Sequence, residues 1–279
     1  MDIHLDNNSH KYYNQDIFAK AGIKTLSSIC HNSKDPFNEL FMAKSSLLKN
    51  NSDNMSLVNS INFFLQNLPK QDINEKGREK EYSIYKKFEE ANKEISKLGS
   101  KKIKPGCSVF IHSLNNQIFE ILKHASRYKN FEINILEHSP FNFSHTLHKH
   151  LNKANITIYP DISIRQAIHD SDICFIGADA ILKNSNLVAK IGSTAACMLA
   201  KENNVPVYVC AHSWKYDSKN MMIMSLQKEH EHDVKHHVKK IYEIVNKDLI
   251  QSFICETGIF NPKHIIDEIR FANSWMFLS

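Results

Sequence analysis

The sequence predicts an α/β protein, with an N-terminal helical domain (residues 1–100) followed by a Rossmann-like parallel sheet with helices on both faces (residues 101–279). Three observations carry this. Residues 1–98 show long stretches of helical periodicity and hold one glycine before Gly77. A basic segment punctuated by glycine and proline (GSKKIKPG, residues 99–106) then interrupts the pattern. Beyond it, short apolar runs rich in β-branched residues alternate with helical stretches, as in successive βαβ units.

In the helical part, residues 17–30 are amphipathic, with Ile17, Phe18, Ala21, Ile23, Leu26 and Ile29 at helical spacing. A second helix follows Pro36-Phe37 over 38–48. A third spans 55–68 and is stopped by Pro69. A long charged helix covers 72–98. In the sheet part, strands are expected at 108–112, 131–136, 156–159, 173–176, 205–210 and 252–255. Helices are expected at 117–125, at 144–154 (histidine-rich), at 164–169 and at 262–270. A polar loop runs from Gly177-Ala178-Asp179 through Asn186. Lys190-Ile191-Gly192-Ser193-Thr194 opens the helix that precedes the 205–210 strand. Residues 225–246 read as a charged helix. Its His230, His232, His236 and His237 fit a solvated face rather than a metal site, because no third converging ligand accompanies them.

Composition narrows the function. With 279 residues, 42% of them hydrophobic, the chain can bury a core. No apolar run approaches the ~18 residues that span a bilayer. No secretory signal is visible, which leads us to expect a cytoplasmic protein with no membrane partner. The six cysteines are dispersed, form no C-x-x-C pair and fit reduced core thiols. The net charge of +5 is spread along the chain rather than gathered in a stripe. That disfavours direct nucleic-acid binding and suits a phosphate-bearing small ligand or an acidic partner. No G-x-G-x-x-G follows any strand, so a dinucleotide site is not supported. No cofactor and no metal are expected.

In open parallel sheets, ligands sit beyond the carboxyl ends of the strands. Asp179 follows one strand there, and His212, Ser213 and Lys215 follow the next. The alternative for His212 and Lys215 is a solvated loop. The Gly192-Ser193-Thr194 start of a helix offers backbone N–H groups to an anion.

Four blocks in this stretch, GADAI, KIGST, AKENNVPVYV and a terminal KY, lie within about forty residues in fixed order. Together they resemble the C-terminal domain of the initiation-factor-2B family. That family holds the alpha, beta and delta regulatory subunits of the eukaryotic factor and archaeal relatives. It also holds isomerases of ribose 1,5-bisphosphate and methylthioribose 1-phosphate. DNMSLVNSINFFL, around Asn59, resembles the family's helical segment more loosely.

The resemblance implies site residues. The family's isomerases use the aspartate of the GAD block, here Asp179, and a cysteine in a Thr-His-Cys-type motif. His112 fits that motif, but Ser113 stands where the cysteine would be. Cys107 lies six residues away on the same strand, roughly 20 Å, and cannot substitute. Asp179, Ser113 and His112 are thus the catalytic candidates. An Asn-Lys pair of the family is here Ala189-Lys190, and a Glu-x-Arg-Pro segment is here Glu137-His138-Ser139-Pro140, without its arginine. Lys190, Gly192, Ser193, Thr194 and Lys215 remain as ligand-binding candidates. The implied function is a regulatory or sugar-phosphate/nucleotide-binding subunit on an isomerase fold, lacking the full catalytic set. It would assemble as a homodimer or hetero-oligomer through its C-terminal domain. The alternative is an active ribose 1,5-bisphosphate isomerase with an altered site.

Overall fold

A computed structural model describes residues 15–49, 51–137, 147, 151, 154–224 and 241–277. Four helices lead: α1 (Gln15–Asn32), α2 (Pro36–Lys49), α3 (Met55–Leu65) and α4 (Ile73–Ser100). The sheet region then follows in the order β1 (Ser108–Ile111), α5 (Asn116–Ala125), β2 (Glu132–Leu136), β3 (Asn155–Tyr159), α6 (Ile164–His169) and β4 (Ile173–Gly177). It continues with β5 (Ala180–Leu182), β6 (Leu187–Lys190), α7 (Ser193–Glu202), β7 (Val207–Cys210), β8 (Tyr216–Asp217) and β9 (Tyr242–Val245). Last come β10 (Ser252–Cys255), β11 (Gly258–Phe260) and α8 (Ile265–Ala272).

The main sheet has strand order β11-β10-β7-β4-β1-β2-β3 and is parallel except for the β10–β11 hairpin. Alternation along each strand sends side chains to two covered faces. Val109, Ile111, Ile173, Phe175 and Ile254 pack with Ile95 of α4 and Ile118, Ile121 and Leu122 of α5. Phe110, Cys174, Ile176, Val207, Val209 and Phe253 face Ala167, Ala196, Cys197, Ala200, Ile265 and Ile269 of α6, α7 and α8. The second cluster runs on into Ala19, Ile23, Leu57, Ile61 and Phe88, so α1, α3 and α4 share a core with the sheet.

Five expectations are corrected. In α1 the buried stripe is Ala19, Ile23 and Leu26, and it begins at Gln15 and Asp16. Ile17 and Phe18 lie off it, 51% and 36% exposed. The third helix stops at Leu65 rather than 68, and Asn67 turns the chain at φ 53°. Helix α4 passes through Gly99 instead of breaking there, because a glycine lets α5 come close: a Cβ at Gly99 would lie 2.4 Å from Ile121 Cδ1. The polar loop after Asp179 is an antiparallel β5–β6 hairpin, so Lys190 ends a strand and α7 begins only at Ser193. Finally, residues 242–245 form β9 rather than helix, with Tyr242 and Val245 buried against β6. Strands β8, β5, β6 and β9 make a second sheet. The expected 225–240 helix, its histidines and His138-Ser139-Pro140 lie outside the described residues, as does all of the 144–154 helix except Leu147, Leu151 and Ala154.

Candidate functional site

The chain leaves β1 toward β2 on one side, while β4 lies on the other. This is the switch point at which ligands of such sheets gather. The β1–β4 register pairs Ile111 with Phe175, so His112 and Ser113 leave β1 at the same edge where β4 ends in Gly177. Asn115 ties the three strand exits together. Its side chain caps α5 by accepting from Ile118 N at 2.8 Å and donates to the Cys210 carbonyl at 3.1 Å. A Cβ at Gly177 would lie 2.5 Å from that amide, so the absence of a side chain there makes the junction possible.

The hairpin joins Asp179 to Lys190. Asp179 N donates to Val188 O at 2.8 Å, and β6 carries Lys190 back alongside. Lys190 Nζ lies 3.5 Å from Asp179 Oδ1 and 4.0 Å from the centre of the Tyr242 ring. Both charged groups are buried. Burial lowers the Lys190 pKa from its ordinary value, against the opposing pull of Asp179 and Asp53. Lys215 is not a solvated loop residue: it is 3% exposed and donates to the Ala178 carbonyl at 2.8 Å. His212 is likewise buried, at 1%.

The expected Gly192-Ser193-Thr194 cradle faces a different neighbour. Gly192 adopts φ +93°, and a Cβ there would lie 2.7 Å from His112 Cε1. His112 Nε2 is 2.9 Å from the Ile191 carbonyl, which can only accept, so that nitrogen carries the proton. Burial lowers the His112 pKa and keeps the ring neutral. Thr194 N donates to Glu243 Oε1 at 2.6 Å, so one amide of the first turn of α7 already holds a carboxylate. Ser193 is fully buried. The structure thus brings Asp179, Lys190 and Lys215 together, and groups His112 with Gly192 beside them.

Gln15, Asp16, Ser56, Gln117 and Glu256 were not singled out from the sequence, and they meet Asp179, His212 and Ser213, which were. Gln15 Nε2 donates to Asp179 Oδ1 at 3.1 Å. The next residue, Asp16, takes three donors: His212 Nε2 at 2.8 Å, Ser56 Oγ at 3.1 Å and Gln117 Nε2 at 3.1 Å. Burial disfavours a charged Asp16. Even so, His212, Lys215 and Ser56 hold its carboxyl well below the usual range. Asn59 Nδ2 donates to the Trp214 and Tyr216 carbonyls at 2.7 and 2.9 Å. Glu256 accepts from Ser213 N at 3.0 Å, and its Oε1 lies 3.7 Å from Lys87 Nζ. Burial opposes the Glu256 charge as well, but His212, the Cys255 thiol, Lys87 and Ser213 lower its pKa. One signal was readable: Asp16 sits three residues before Ala19 and seven before Ile23, on the apolar stripe of α1.

No nearby thiol replaces the one missing at Ser113. Cys174 and Cys210 are fully buried, and burial raises both far above the usual thiol range. Cys197 is pushed up to about 12. Among the described residues, no three His, Cys, Asp or Glu side chains are grouped to hold a metal ion. Among the same residues, no helix is long and apolar enough to cross a membrane.

Residues 17–262 match the model of the Initiation factor 2 subunit family. Ribose 1,5-bisphosphate isomerase of Archaeoglobus fulgidus is 25% identical over 268 residues, covering 88% of this chain and 84% of that protein. A putative translation initiation factor eIF-2B subunit 2-like protein of Pyrococcus furiosus is 33% identical over 137 residues, 48% of this chain and 50% of that one. Among solved structures, the translation initiation factor eIF-2B of Pyrococcus horikoshii OT3 superposes with TM-score 0.76 at 20% identity, covering 90% of this chain and 92% of that one. A chain of the tetrameric eIF2B-beta2-delta2 complex from C. thermophilum superposes with TM-score 0.73 at 16% identity, covering 92% and 88%.

Proposed function

The chain belongs to the initiation factor 2 subunit family, and from that premise we propose that it is a regulatory, ligand-binding member. It holds a phosphate-bearing small molecule, a sugar phosphate or a nucleotide, at the carboxyl ends of β1, β4 and β7, and does not isomerise it. The observation that carries this reading is the buried Asp179–Lys190 pair beside Lys215, next to a strand exit that ends in serine. The ammonium groups suit a phosphate. The cysteine that the resemblance implies for the family's isomerases is missing at Ser113, and a serine hydroxyl serves in its place only when a base activates it. The histidine beside Ser113 is committed to the Ile191 carbonyl.

Incubation of the purified chain with ribose 1,5-bisphosphate should yield no ribulose 1,5-bisphosphate. A thermal-shift series with ribose 5-phosphate, AMP and orthophosphate should show stabilisation that Lys190→Ala removes. Turnover that Asp179→Asn abolishes would instead establish an isomerase. That second reading is favoured by the 25% identity to the Archaeoglobus fulgidus enzyme across most of both chains.

For assembly, we propose a homodimer or hetero-oligomer through the sheet region, by analogy with the tetrameric relative. Light scattering at micromolar concentration tests this: a strictly monomeric chain would leave only assembly with a different subunit.

A further inference from the structure

We propose that Asp16 is a built-in anion filling one of two neighbouring anion seats, so that the site accepts ligands with a single phosphate and rejects those with two. This rests on the phosphate-binding reading above and narrows its ligand class.

The argument begins with what surrounds Asp16. A buried carboxylate needs donors on both oxygens, and Asp16 has them: His212 and Ser56 on Oδ1, Gln117 on Oδ2. They come from the turn after β7, from α3 and from α5, three places far apart in the chain. Lys215 adds its charge nearby. Convergent donors with an adjacent ammonium are the coordination that a phosphate oxygen cluster also takes. Ser56, Gln117 and His212 are each buried, so all three donors are held in place by packing.

The second seat is the Asp179–Lys190 locus. The two are coupled through consecutive residues of α1, since Gln15 bonds Asp179 and Asp16 bonds His212. Lys215 spans both, donating to the carbonyl just before Asp179 while its charge favours the Asp16 carboxylate. On this reading a ligand with one phosphate takes the Lys190 seat with Asp16 in place. A ligand with two would set its second phosphate against the Asp16 carboxylate, and like charges brought together at an interface are strongly unfavourable.

The test measures binding of ribose 5-phosphate and ribose 1,5-bisphosphate to the full-length chain, its Asp16→Ala and its Asp16→Asn variants. The wild type is expected to bind the monophosphate at least about tenfold more tightly than the bisphosphate. Asp16→Ala, which empties the seat, is expected to gain about tenfold or more for the bisphosphate relative to the monophosphate. Asp16→Asn removes the charge but keeps the seat filled, and should gain less. Because loss of Asp16 weakens the fold, the thermal midpoint is also followed in orthophosphate against chloride at equal ionic strength. Orthophosphate should stabilise Asp16→Ala more than the wild type, as a replacement occupant. A wild type that binds the bisphosphate as tightly as the monophosphate overturns the inference and leaves the site reading standing. So does an Asp16→Ala chain that gains neither bisphosphate affinity nor phosphate-dependent stability. A wild type that binds neither sugar phosphate overturns both.

Discussion

Lys190 Nζ stands 3.5 Å from Asp179 Oδ1, with both residues buried and the Tyr242 ring 4.0 Å below the ammonium. Removing either member strands a charge in a dry place. Lys190→Met and Asp179→Asn should each cost about 3–5 kcal/mol, while the double variant costs clearly less than their sum. Urea denaturation of the four proteins in the cycle measures this. Strict additivity would mean that the two groups do not interact.

Asn59 bridges α3 to the 213–217 segment through two carbonyls at 2.7 and 2.9 Å. Asn59→Ala leaves both acceptors buried, at about 1–3 kcal/mol for each unsatisfied group. Asn59→Asp is expected to be worse, since it turns a carboxylate toward carbonyl oxygens. Equilibrium unfolding of the two variants gives the order, and an Asp variant as stable as wild type would contradict the contact.

Gly192 and Gly106 both adopt positive φ, +93° and +77°, but only Gly192 faces a side chain, His112. Both alanine substitutions carry backbone strain of about 1–3 kcal/mol. Gly192→Ala carries a collision with His112 in addition. The comparison therefore isolates the contact. If Gly106→Ala proves the more damaging of the two, His112 does not press on α7 as described.

Acid should weaken the fold in two windows. His112 has a folded pKa below its ordinary 6.5. The unfolded chain binds that proton first, so stability is full above pH 6.5 and falls as pH drops toward the folded value. Asp16 and Glu256 have folded pKa values below their ordinary 3.8 and 4.5, so their contribution is present above those values and is lost below them. Thermal midpoints from pH 8 to pH 3 should show both declines. His112→Asn should flatten the upper one alone, and an unchanged upper decline would assign it to another group.

The central strands of the main sheet were legible because both their faces are covered, which writes them as apolar runs, as in Ile173–Gly177. The hairpin was not, since β5 and β6 are three and four residues long and their polar turn reads as a loop. The Asn184-Ser185-Asn186 cluster, with Ser185 at φ 67°, was the available clue. Missing that hairpin moves Lys190 from the end of a strand to a helix start. Asp16 stayed hidden for another reason. A carboxylate reads as a surface residue until its partners are known, and Ser56, Gln117 and His212 come from three other elements. No local pattern announces such a meeting.

Asp16 and His212 are separated by 196 positions along the polypeptide. At a ribosomal pace of about 5–20 residues per second, the first helix waits on the order of 10–40 s before its histidine exists. The apolar stripe of α1 can pack on α3 and α4 early, but during that interval a carboxylate destined for a dry interior lacks its histidine. Slowing synthesis between α1 and the turn after β7 should therefore lengthen the period in which a protease can cut the nascent chain at the junction Asp16 closes.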